Sequence, residues 1–140
     1  MTRRNPEGGF VATEFALGIG LLLFPVACLV LTMPTWSERK TTARAIVREV
    51  ARVVASTGVC DNASARGLTE IMARNLGMSP ADTRIDLECR PGAALEPGSE
   101  VGAAVTVRMP ALDVPGIGPV GEWSWTARHN QPVDRYRGVP

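Results

Sequence analysis

Histidine occurs once in these 140 residues, as His129, and no second histidine or cysteine stands near it. A metal set or a nucleophile–base pair needs such groups in company, so no metal, no cofactor and no enzymatic activity are expected. Asp82, Asp86 and Glu88 do not stand out from ordinary surface carboxylates. Charge of one sign is also lacking: 15 basic against 14 acidic side chains leave a net charge of +1. That balance is not the footprint of a nucleic-acid binder. The glycines of "GIGPVG" have no Lys-Ser/Thr behind them and no strand-to-helix transition around them, which excludes a phosphate loop and leaves no signal for a small-molecule substrate. There is no internal repeat.

What the chain has is one long apolar run. Between Phe10 and Met33 only Glu14 is charged, and the run exceeds the roughly 20 apolar residues that cross a bilayer core. A secretory signal has a shorter apolar stretch and a small-x-small cleavage site, and "LTMPTWSERK" offers none. A lipoprotein signal would use Cys28 in "PVAC", but Pro25 sits where a leucine-like residue belongs. The expectation is therefore a membrane helix over 10–34, loosened at Pro25, with Pro34 and Trp36 at its far interface. Residues 1–9 form a short polar leader or tail.

From Ser37 to Thr57 there is no Pro or Gly, and Ala43, Ile46, Val47, Val50, Val53 and Val54 recur at helical spacing. This predicts an amphipathic continuation of the helix over 35–58, ending at Gly58. Lys40, Arg44, Arg48 and Arg52 step by four along another face, either as a solvated stripe or in contact with lipid headgroups or a neighbour's carboxylates. The remainder, 59–140, is one small domain. A second helix is predicted at Ala65 to Leu76, capped by Asn62 or Ser64 and stopped by Gly77. Strands follow in "RIDLEC", in "EVGAAVTVRM" with Val101, Ala103, Val105, Val107 and Met109 on one face, and at Glu122 to His129 with Trp123, Trp125 and Ala127 alternating. "PALDVPGIGPVG" reads as too broken for regular structure, and the tail from Asn130 as surface chain. The predicted class is α+β: a long N-terminal transmembrane and amphipathic helix packed on a small, antiparallel, three-stranded sheet. Trp123 and Trp125 are read as packing residues of that sheet.

Three cysteines divide as two and one. Cys28 is a small apolar residue of the span. Cys60 at the end of the long helix and Cys89 at the end of the first strand are placed for a disulfide, which implies an oxidising, extracytoplasmic compartment. The positive charges disagree: Arg3 and Arg4 precede the span and five basic residues from Arg39 to Arg52 follow it, so a bare count places the domain inside. Short N-terminal tails are commonly retained, and with the cysteines this argues for the opposite orientation. Sequence alone leaves that conflict open.

Glu14 is the odd residue. A carboxylate at the centre of a span costs about 2.5–3.5 kcal/mol, and an early helical turn lowers that cost. The residues around it hold a further pattern: "GG", then Phe10 as the first apolar residue, and the glutamate fifth from Phe10. This G-F-x-x-x-E arrangement resembles the processing site of type IV prepilins. The longer stretch "GFVATEFALGIGLLLFPVACLV" resembles the N-terminus of TadE-like minor pilins, or pseudopilins, of the tight-adherence (Flp) pilus system. "TEFAL" at Thr13 to Leu17 and Pro25 carry the resemblance, and Thr13 and the bulky Phe10 depart from it. The ending from Pro132 to Tyr136-Arg137 is similar as well.

The resemblance implies a pilin-like fold and a cut between Gly9 and Phe10 by a membrane-embedded prepilin peptidase. It implies that Glu14 pairs with the freed amine of the next subunit during assembly. The partners implied are the membrane, the peptidase, other pilin subunits and the assembly machinery, with Gly18 and Gly20 letting neighbouring helices approach. Two other classes fit the residues: an uncut, anchored accessory subunit of an envelope or secretion complex, and an anchored binding module whose sheet and tryptophans hold a ligand.

Overall fold

The computed structural model describes residues 7–136, with side chains from Thr13 onward. The leader's Arg3 and Arg4, and Arg137 of the tail, lie outside the described residues. Helix α1 runs without interruption from Glu7 to Thr57, through both Pro25 and Pro34. It ends where Gly58 adopts φ +68°, a left-handed conformation that other residues resist. Helix α2 covers Asn62–Asn75. After a 3-10 turn at Pro80–Asp82 come β1 (Thr83–Glu88), β2 (Glu100–Val114) and β3 (Gly118–Pro132). The three strands form one antiparallel sheet in the order β1-β2-β3. The α+β architecture expected from periodicity is present, as is the apolar helix long enough to cross a membrane.

The core lies between one face of α1 and one face of the sheet. Ala43, Ile46, Val47, Val50, Ala51 and Val54 are buried against Val101, Ala103, Val105, Val107, Met109 and Ala127, and α2 adds Ala65 and Ala73. The period-two pattern of β2 and the helical pattern of α1 thus meet as anticipated. On the opposite face of the sheet Thr106 and Thr126 share an exposed hydrogen bond across the strands. The Cys60–Cys89 disulfide ties the turn after α1 to the end of β1, with Cα atoms 6.1 Å apart.

Three sequence expectations are corrected. The cap of α2 is Asp61, whose Oδ1 accepts from the backbone N–H groups of Ala63 and Ser64; Ser64 contributes as a hydroxyl donor to the same carboxylate. The stretch read as irregular, 110–121, is instead the outer half of a continuous β2–β3 hairpin, paired from Pro110↔Glu122 to Val114↔Gly118. Its strands accept the prolines and glycines because Gly121 takes φ +70° as a local irregularity and Gly116 takes φ +82° in the turn. The start of the tail is not surface chain: Asn130 to Pro132 belong to β3, and Val133 is buried and exchanges backbone bonds with the Gly98–Ser99 turn.

Candidate functional site

Two features of α1 bear on function, and both follow from where the domain begins to cover it. From Thr13 to Ala27 every residue of the helix is exposed, Phe15 at 70%. Glu14 lies on this bare stretch beside Phe15, Gly18, Ile19, Leu22 and Leu23, which line a shallow groove. A Cβ built on Gly18 or Gly20 meets nothing within 4 Å, so the space these glycines leave is not used inside the molecule. Pro25 sits within the same stretch and Gly9 and Phe10 within the first turns of α1.

The second feature is the junction with the domain. Cover begins at Cys28, which is 1% exposed and unbonded to another cysteine, and at Thr32, which is fully buried. Strand β1 begins at Thr83, opposite Val107, and runs from there toward Gly102, so the outer part of β2 has no strand on that side. Helix α1 takes the place of one. The Arg39 guanidinium donates to the Arg108 carbonyl at 2.6 Å, the Trp36 indole N–H to the Pro110 carbonyl at 2.7 Å, and the Asp113 N–H donates to Thr32 Oγ1 at 2.9 Å. Thr32, Trp36 and Arg39 stand at i, i+4 and i+7, one face of a helix. A strand edge left with free backbone groups invites pairing with another chain, and here side chains of α1 satisfy it.

Aromatic and basic groups collect at the same level. Trp36 and Trp123 meet edge to face with ring centroids 5.9 Å apart. The Lys40 ammonium lies 5.4 Å from the Trp123 ring and 5.9 Å from Trp125, and the Arg44 guanidinium lies 5.3 Å from Trp125. The basic stripe is therefore not simply wet. Its first two members cover the tryptophans, while Arg52 pairs with Glu49. That pairing holds the Glu49 carboxyl below its usual range, chiefly through the hydrogen bond from Arg52. The hydrogen bonds from Ser64 and the Ala63 amide do the same for Asp61. Sequence reasoning named Trp36 and the tryptophans of β3 separately, but the register that joins them depends on the unforeseen hairpin.

Among the described residues no group of three His, Cys, Asp or Glu side chains is arranged to hold a metal ion. No protein-family model, characterised protein or solved structure matches the chain.

Proposed function

We propose that this chain is a TadE-like minor pilin, or pseudopilin, that acts by assembly rather than catalysis. It crosses the membrane once, with its domain on the extracytoplasmic side, and is cut between Gly9 and Phe10 by a prepilin peptidase. The observation that carries the reading is the bare half of α1. A helix exposed on all sides from Thr13 to Ala27, apolar but for Glu14, is unstable in water and needs lipid or neighbouring helices around it. Within lipid the lone carboxylate in turn needs a partner, and the Phe10 amine of the next subunit would supply the opposite charge. Gly18 and Gly20 leave the close-approach space such packing uses. The Cys60–Cys89 disulfide favours the oxidising side for the domain, against the count of positive charges.

The test is the intact mass and N-terminal sequence of the membrane-extracted protein, produced with and without a cognate prepilin peptidase. The expected result is an N-terminus at Phe10 only when the peptidase is present, and its loss in a Gly9→Leu variant. An uncut chain beside an active peptidase overturns the pilin reading and leaves an anchored accessory subunit.

A further inference from the structure

The outer end of the β2–β3 hairpin points along α1 toward its apolar half. The contacts fix the direction: Pro110 meets Trp36, and three residues further on Asp113 meets Thr32, one helical turn nearer the N-terminus. Val114, next in the strand, is buried, and so is Cys28, one more turn up the helix. The hairpin turn thus reaches past the level of Met33, where the apolar run of α1 ends. Its composition matches that position. Between Arg108 and Glu122 the only charged residue is Asp113, and beyond Asp113 the sequence to Gly121 is Val-Pro-Gly-Ile-Gly-Pro-Val-Gly. Ile117 at its tip is 78% exposed and Val120 is 48% exposed.

We infer that this tip is a second membrane contact, a wedge that enters the lipid interface beside the spanning helix. The inference rests on α1 crossing a bilayer, and not on pilus assembly. Three observations select lipid as the occupant. Trp36 and Trp123, with Lys40 against Trp123, form an aromatic and cationic cluster suited to headgroup depth, and the tip lies on the membrane side of that cluster. Leu29, Val30, Leu31 and Met33, at the level of the Thr32–Asp113 bond, are exposed side chains of α1 that require the same apolar surroundings. The Asp113 carboxylate limits the depth, because it has to remain among headgroups. At about 3.3 Å per strand residue the turn extends roughly 7 Å beyond Asp113, comparable to the roughly 5–10 Å to which interfacial elements bury. The backbone suits this shallow depth. Strand pairing continues to Val114↔Gly118 and the Ile117 N–H donates to the Val114 carbonyl at 3.0 Å, so few polar groups enter unpaired.

The experiment uses the full chain in liposomes of phosphatidylethanolamine and phosphatidylglycerol. Nitroxide labels are placed singly at Ile117→Cys, Leu22→Cys and Glu96→Cys in a Cys28→Ala background with the Cys60–Cys89 bridge intact. Collision with oxygen, which concentrates in lipid, is compared with collision with a water-soluble nickel chelate. The expected result is oxygen exceeding nickel at 117, in the same sense as at 22 and reversed from 96. A label at 117 that reads like the one at 96, while 22 reads deep, overturns the wedge and leaves the spanning helix standing. A label at 117 shielded from both reagents overturns it in favour of protein cover. Water access at 22 overturns the spanning helix and the wedge with it.

Discussion

The indole N–H of Trp36 donates to the carbonyl of Pro110, 2.7 Å away and 74 positions along the chain. In a strand the N–H and C=O of one residue face the same edge, so the bond shows that the edge of β2 lacking a neighbour is the one on which proline lacks its donor. The indole completes that edge and also meets Trp123 edge to face.

Trp36→Phe keeps an aromatic ring there but leaves the Pro110 carbonyl unpaired. The expected cost is about 1–3 kcal/mol, that of a part-buried acceptor left without its bond. On a domain of this size it lowers the midpoint of thermal unfolding by several degrees, about 4–8 °C per kcal/mol. Calorimetry of the full chain in detergent measures it. An unchanged midpoint would show that water replaces the indole without loss.

The disulfide closes a loop of 29 positions, for which the chain-entropy estimate is about 3–4 kcal/mol. Replacing both Cys60 and Cys89 by Ala is expected to lower the urea midpoint by a corresponding amount while the helical circular dichroism of α1 persists. Reduction of the native protein should reproduce the effect. A loss below about 1 kcal/mol would mean that the unfolded chain already holds these ends together.

The carboxylate of Asp61 is held below its usual range by the bonds it accepts from Ser64 and Ala63. A depressed carboxylate contributes stability that is fully present above the unfolded-state value and is lost as pH falls through the folded-state value. Asp61→Asn keeps a capping oxygen without the charge. Its stability should therefore fall less steeply than the native protein's as pH drops below the ordinary aspartate range, and Asp61→Ala should be less stable than either at neutral pH. Thermal midpoints from pH 2.5 to pH 7 decide the matter, and parallel curves for Asn and Asp would remove the carboxylate's role.

Periodicity made most of this fold legible. The helical spacing from Ala43 to Val54 and the alternation from Val101 to Met109 are strong because each reports a half-buried element. Gly58 and Gly77 are legible as stops because both take positive φ. The cap of α2 is ambiguous in the sequence because Asp61, Asn62 and Ser64 are all capping types within one turn, and spacing does not rank them. The hairpin from Pro110 to Gly121 is hidden in the sequence for a different reason. Proline and glycine break a strand only where their missing donor or missing side chain is needed, and sequence does not show that the edge of β2 beyond Val107 is closed by a helix. The junction followed the hairpin into obscurity, since Thr32, Trp36 and Arg39 acquire meaning only once Asp113, Pro110 and Arg108 are placed opposite them. Glu14, by contrast, is conspicuous in the sequence itself, as a charge does not belong in an apolar run without a reason.

Thr32 connects the two parts of the molecule through one oxygen. Its hydroxyl donates to the Cys28 carbonyl at 2.7 Å and accepts the Asp113 N–H at 2.9 Å. Thr32→Val retains the shape and removes both bonds, leaving the Asp113 amide without its acceptor. The outer hairpin should then separate from α1 more often, by about 1 kcal/mol or roughly fivefold in population. Cys28, free and 1% exposed, lies one helical turn from Thr32, and its thiol is expected to become reactive when the hairpin lifts. In detergent micelles its modification by a membrane-permeant maleimide should be slow in the native protein, about fivefold faster in Thr32→Val, and near native in Thr32→Ser, which keeps the oxygen. Equal rates in all three would place the cover of Cys28 elsewhere and separate the hydroxyl from the closure of the hairpin.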